Sequence, residues 1–318
     1  MTSIREISSD TYWVGVNDRV TSLFESIWPL PHGITYNSYV IRDEKVALMD
    51  TVKGIADAEY LSKVRRVIGE EGKIDFLIIH HMEPDHSGLV YTLRQLYPEM
   101  QIIGTAKTAD YLKKLYNVTE NIRTVSDGDE IDLGNHRLKF IATPMVHWPE
   151  TMMTYDTKDK ILYSGDAFGG FASLEGALFD DELRIDYYED EILRYFSNII
   201  GKYSNIVKKT IEKLKDTDVS VVAPTHGPVW RQNPEHIIDL YYRWSSQQGE
   251  KGVVLAYGSM YENTKKMADA VAEGIRQNGI EKLIIHDLSN SHPSFVIRDI
   301  WRYQGLAIGS PTYDSGIF

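Results

Sequence analysis

The stretch Phe76-Leu77-Ile78-Ile79-His80-His81-Met82-Glu83-Pro84-Asp85-His86 decides the reading of this chain. Four apolar residues in succession describe a strand buried on both faces. The chain leaves that strand directly into the pattern H-x-E-x-D-H over His81, Glu83, Asp85 and His86. A single histidine or aspartate after a strand is ordinarily a solvated loop group. Four polar, partly charged groups at the end of a buried strand are costly unless something pairs with them, and a cation does so best.

Working outward, the arrangement recurs with one candidate ligand past a strand each time. His147 follows an apolar run at 138–142, Asp166 follows 161–164, and His226 follows 219–223. If these strand ends share one rim, as sites in α/β proteins usually do, all seven side chains converge. Seven ligands are too many for one first-row ion, so two metals follow. A natural partition assigns His81, Glu83 and His147 to one, and Asp85, His86 and His226 to the other, with Asp166 bridging. Two imidazoles and a carboxylate per ion suit non-haem iron and leave open positions. Zinc accepts the same ligands, with a bridging water as hydrolytic nucleophile.

Around this constellation, residues 11–50 alternate β-rich runs (12–16, 36–42 and 45–50) with turn clusters, as an antiparallel meander does. A helix over 56–69 precedes the strand 76–79. Further strands are expected at 101–104, 121–125, 130–133, 138–142, 151–155, 160–164 and 219–223, with a mostly helical stretch over 181–215. Many strands with few, clustered helices predict two packed sheets with helices outside. The polar run Ser245-Ser246-Gln247-Gln248-Gly249 reads as a linker. Beyond it, strand 253–256, helix 263–277, strand 282–286, helix 294–301 and strand 306–309 form a parallel βαβαβ unit.

The whole chain has 318 residues and a net charge of −12, which disfavours nucleic acid as a partner. It has no cysteine, so disulfides, thiolate-bound zinc and iron–sulfur clusters are excluded and any metal must take nitrogen and oxygen ligands. No run of 18 apolar residues occurs and the opening MTSIREISSD lacks an apolar core, so the reading is a cytoplasmic chain with no membrane span.

H-x-E-x-D-H, His147 in HWP, Asp166 in SGDAFG and His226 in PTHG together resemble the flavodiiron proteins. Zinc hydrolases of the wider metallo-β-lactamase superfamily mostly carry histidine where this chain has Glu83. The anionic oxygen ligand favours a redox-active di-iron centre. The resemblance covers the whole chain. It implies a metallo-β-lactamase-like αββα sandwich over 1–248, followed at 249–318 by the start of a flavodoxin-like, doubly wound parallel sheet.

Within that second unit, Ser259, Met260, Tyr261, Glu262, Asn263 and Thr264 open a helix, where hydroxyls and N–H groups cradle phosphate. The resemblance implies that they bind the FMN phosphate, while Ser310, Pro311, Thr312 and Tyr313 contact the flavin ring. A flavodoxin-like sheet has five strands, and this chain stops after the third. The expectation is a truncated chain whose third strand is an unpaired apolar edge.

The resemblance implies an oxidoreductase with two iron ions and FMN, reducing dioxygen to water or nitric oxide to nitrous oxide. Rubredoxin, a reduced deazaflavin or a flavin reductase would donate electrons, to a head-to-tail homodimer or a dimer of dimers. The rivals are a dinuclear zinc hydrolase and a flavin-binding carrier with a structural metal. Among other residues, His80 is expected to face away from the ligands. His136, His236, His286 and His292 read as solvated or hydrogen-bonded surface groups. His32 is considered as a proton donor near the site, Tyr195 as a phenol facing a bound ligand, and Trp148 as packing beside it.

Overall fold

Alternate residues along the central strands belong to two different apolar clusters, and this period of two builds the layers. The computed structural model describes residues 3–174 and 176–318. Val40, Leu48, Leu77, Ile79 and Ile102 pack with Tyr60, Val64, Leu93 and Leu112 of the covering helices. Their neighbours Ile41, Met49, Ile78 and Ile103 point the other way, into a cluster with Leu138, Phe140, Ile161 and Tyr163 of a second sheet. Two sheets face to face with helices outside form the expected αββα sandwich.

The first sheet runs in the order Arg5–Ser8, Thr11–Trp13, Tyr39–Arg42, Val46–Met49, Phe76–Ile78, Gln101–Gly104, Ile122–Thr124. Its pairs are antiparallel up to Val46–Met49 and parallel beyond. The second sheet runs Glu130–Asp132, Arg137–Ala142, Met152–Asp156, Ile161–Gly165, Val221–Pro224, antiparallel except for the last pair. The crossover before Val221–Pro224 contains the helices Ile185–Tyr195 and Ser204–Leu214.

The meander differs from expectation at one place. The run 36–42 is not one strand: Ile34–Tyr36 pairs with Val16–Asp18, and Tyr39–Arg42 belongs to the large sheet. Asn37 makes the break. Its side chain donates to the carbonyls of Pro224 and Gly227 and accepts from the Trp13 indole, so the backbone turns to reach the second sheet. A small hairpin, Leu23–Phe24 with Trp28–Pro29, also lies between elements read as turn.

The remaining strands form a parallel sheet in the order Leu283–Asp287, Glu250–Tyr257, Tyr303–Gly309, with helices Asn263–Gln277 and Pro293–Arg302. Tyr303–Gly309 lies at the edge and exposes Leu306 and Ile308. Pro293–Arg302 packs against the sandwich. Trp301 donates its indole N–H to the carbonyl of Trp244, and its ring lies 5.8 Å from that of Phe196. At Gly201 a Cβ would come within 2.9 Å of the Trp301 ring, so only glycine fits there undisturbed. Among the described residues, no helix is long and apolar enough to cross a membrane.

Candidate metal centre

Each candidate ligand is placed by local chemistry. Pro84 opens a single helical turn, Pro84–Ser87, at a position where its missing N–H is no loss. That turn carries Asp85 and His86. The Ser87 hydroxyl is within bonding distance of the carbonyls of Met82 and Glu83, and Glu150 accepts the Met82 N–H at 2.8 Å. Thr51 anchors the His86 carbonyl through both its N–H and its hydroxyl, each at 2.7 Å. Gly165 turns the chain with φ +59°, delivering Asp166 past the strand end.

The structure brings all seven side chains together. One oxygen from each carboxylate and one ring nitrogen from each histidine of His81, Glu83, His147 and Asp166 lie within 4.8 Å of one another, and so do those of Asp85, His86 and His226. Asp166 joins the two groups. Its Oδ2 is 3.0 Å from Nε2 of His147 and 3.3 Å from that of His81; its Oδ1 is 3.1 Å from Nε2 of His86. The Thr225 hydroxyl donates to that same Oδ1 at 2.5 Å.

The site is buried, and much of it lacks hydrogen bonds. Both ring nitrogens of His81 and His86, Nε2 of His226, Oε2 of Glu83 and both oxygens of Asp85 make none. A buried polar atom left unpaired costs about 1–3 kcal/mol, and these atoms converge, so a cation between them would relieve them together. His226 is already oriented for this. Its Nδ1–H donates to the Thr35 carbonyl at 2.6 Å, which turns the Nε2 lone pair inward.

The electrostatics agree. Burial alone would lower the His147 imidazole, but its hydrogen bond to Asp166 and the Glu83 carboxylate 3.2 Å away hold it up at about 9. Burial would raise Asp166 and Glu83, yet the surrounding imidazoles hold both carboxyls well below their ordinary range. Oxygen and nitrogen donors with excess negative charge are the set a pair of divalent ions satisfies.

Around the centre, His80 turns away as expected, bonding Asp50 and the Thr154 hydroxyl. Trp148 lies against His81, with ring centroids 6.2 Å apart. Tyr195 is buried with its ring 5.6 Å from His226. His32 is instead exposed and lines a separate cavity with Arg184 and Tyr187, where it cannot serve the ligands. His136 is not a surface group: it is fully buried where the turns of both sheets meet, bonded to Asp156. His236 reaches Glu189, His286 reaches Asp299, and His292 caps its helix by accepting the Ser294 N–H.

Two residues at the mouth were missed. Glu25, at the tip of the hairpin, and Tyr36 line a cavity of about 250 Å³ together with Glu83 and Asp85. Burial and the facing Glu83 carboxylate push the Glu25 carboxyl up to about 8. Neither residue has a spacing signal, because each arrives from a segment the sequence reads as turn or as another strand.

The two proposed flavin loops also meet. The Gly258 N–H donates to the Gly309 carbonyl at 2.9 Å, so 259–264 and 310–313 leave the carboxyl ends of adjacent parallel strands, where α/β sheets bind nucleotides. Glu262 makes no side-chain bond to the helix Asn263–Gln277; the Ser259 hydroxyl accepts the Lys265 N–H of its first turn at 3.4 Å instead.

A sandwich with these seven candidate ligands at one rim is the metallo-β-lactamase-like fold. Residues 34–227 match the family described as ODP family beta lactamase, and the chain belongs to it. It is 34% identical over 315 residues to a nitric oxide reductase of Moorella thermoacetica, covering 98% of this chain and 78% of that one. Solved structures agree. Rubredoxin oxygen:oxidoreductase of Desulfovibrio gigas superposes with a TM-score of 0.94 at 28% identity, over 99% of this chain and 79% of that one. The flavodiiron protein of Giardia intestinalis gives 0.94 at 28%, over 100% and 78%. The chain is thus a member of the flavodiiron proteins and an oxidoreductase.

Proposed function

We propose that this chain holds two iron ions at the rim of its sandwich and reduces a small diatomic, dioxygen to water or nitric oxide to nitrous oxide. The observation that carries this is Asp166, whose two oxygens face two separate groups of ligands. The names of its relatives, a nitric oxide reductase and a rubredoxin oxygen:oxidoreductase, support the reading over a zinc hydrolase. Glu83, an anionic oxygen ligand, favours iron on chemical grounds.

His81, Glu83 and His147 would hold one ion and Asp85, His86 and His226 the other, with Asp166 between. Iron would supply electrons to the diatomic and FMN would replenish them. The chain's own part is positional. Thr35 and Thr225 hold His226 and Asp166 in register, Glu150 pins the ligand turn, and the aromatic wall of Phe24, Tyr195 and Trp148 limits water. A cavity of about 250 Å³ beside Glu83 and Asp85 admits a diatomic.

For the flavin, Ser259, Met260, Tyr261, Glu262, Asn263 and Thr264 would take the phosphate, and Ser310, Pro311, Thr312 and Tyr313 the ring. We assign the sandwich to 1–248 and the flavin unit to 249–318. Rubredoxin, a reduced deazaflavin or a flavin reductase would serve as donor, in the cytoplasm. The family resemblance also implies a head-to-tail homodimer, which light scattering would detect.

Elemental analysis tests the reading. About two irons per chain are expected. Two zincs and no iron, persisting after growth in iron-rich medium, would overturn it in favour of hydrolysis.

A further inference from the structure

We propose that the Tyr36 hydroxyl donates a hydrogen bond to a small ligand held at the metal centre, a role that rests on the di-iron reading above. Tyr36 is fully buried, yet its phenol oxygen makes no hydrogen bond. A hydroxyl in that condition forfeits stability, and a ligand presenting a lone pair would restore it.

Two placements point the residue at the centre. Its ring stands edge-on to His226, with centroids 5.6 Å apart and planes at 70°. It also lines the cavity shared with Glu83 and Asp85. Tyr195 has an unbonded hydroxyl as well, but it is not among the residues lining that cavity.

Tyr36 cannot easily turn elsewhere. The Thr35 carbonyl accepts from His226, the Thr35 hydroxyl accepts the Gly227 N–H at 2.6 Å, and the Asn37 N–H donates to the Thr225 carbonyl at 2.7 Å. The residues on both sides of Tyr36 are therefore tied to the loop that carries His226. On its other side Val16 pairs opposite it, and the Lys53 ammonium lies 5.9 Å from its ring centroid. The ring is held on edge and face, and the hydroxyl is the part left over. A phenol ordinarily titrates near pH ~10, so at neutral pH it keeps its proton and acts as donor. The ligand class is a small species with terminal lone pairs and no proton of its own: dioxygen, nitric oxide or azide.

The test uses azide with the iron-loaded full chain and Tyr36→Phe, which removes one oxygen and keeps the ring contacts. Iron is counted in both proteins, azide affinity is measured by absorption, and the bound-azide infrared band is compared in H₂O and D₂O. The expected result is two irons in both and azide bound roughly tenfold more weakly by the variant. The band should shift with deuterium in the parent and not in the variant. Equal affinity with an unchanged isotope shift would overturn the proposal and leave the metal reading standing. A parent chain without iron would overturn the metal reading itself. Should Tyr36→Phe fail to hold iron, the parent decides, and a band insensitive to deuterium rejects the donor role.

Discussion

Oδ1 of Asp166 lies 3.1 Å from Nε2 of His86, while its other oxygen faces His147 at 3.0 Å. One side chain therefore spans two groups of candidate ligands that reach it from both sheets. Removing it should separate them. Asp166→Ala is expected to hold fewer than two metals per chain and to lose activity on the order of 100-fold or more. Mass-spectrometric metal counting checks this; full retention of both metals and activity would refute the bridging assignment.

Metal removal should also loosen the fold. His81, His86 and Asp85 keep unpaired buried atoms without a cation, and an ion bound only by the folded state stabilises it by mass action, about 2.7 kcal/mol at 100 times its Kd. For a chain of 318 residues that is a fall of about 4 °C in Tm after chelation. Calorimetry of the chelated and reloaded protein measures it, and an unchanged Tm would argue against a metal-dependent fold.

His136 offers a pH-dependent term far from the ligands. Burial opposes its charge, but Asp156 outweighs burial and raises the imidazole above its ordinary 6.5. Asp10 and the Lys158 ammonium are the other charged groups facing it. A raised folded value stabilises fully below the unfolded pKa and is lost as pH rises through the folded one. His136→Gln should therefore cost more stability at pH 6 than at pH 10. Urea titrations at both values decide; equal costs would mean that the ring contributes only packing.

Gly201→Ala sets two effects against each other. Alanine gains up to about 1 kcal/mol where the backbone is helical, but its Cβ would sit 2.9 Å from the Trp301 ring. Overpacking typically costs about 1–3 kcal/mol, so net destabilisation is expected in urea unfolding. A stabilised variant would show that Trp301 can withdraw from the sandwich.

Glu83→His replaces an anionic oxygen donor with a neutral nitrogen. The zinc-to-iron ratio after expression in mixed-metal medium should rise severalfold. An unchanged ratio would mean that Glu83 does not govern metal choice.

Much of this molecule is local and therefore legible in the sequence. The strand Phe76–Ile78, the ligand turn after it and the parallel unit beyond Glu250 follow from apolar runs, helix spacing and turn residues, which act over a few positions. The ligand types are likewise written in the order of the chain, because cost and charge at a strand end belong to the residues themselves. Convergence of the seven candidate ligands is different: His147, Asp166 and His226 meet His81 only because two sheets pack face to face. The same packing buried His136, exposed His32, broke the expected strand at Asn37 and carried Glu25 and Tyr36 to the mouth. Those outcomes depend on contacts between segments distant in sequence, whose energies no local pattern encodes, and only the tertiary structure decided them.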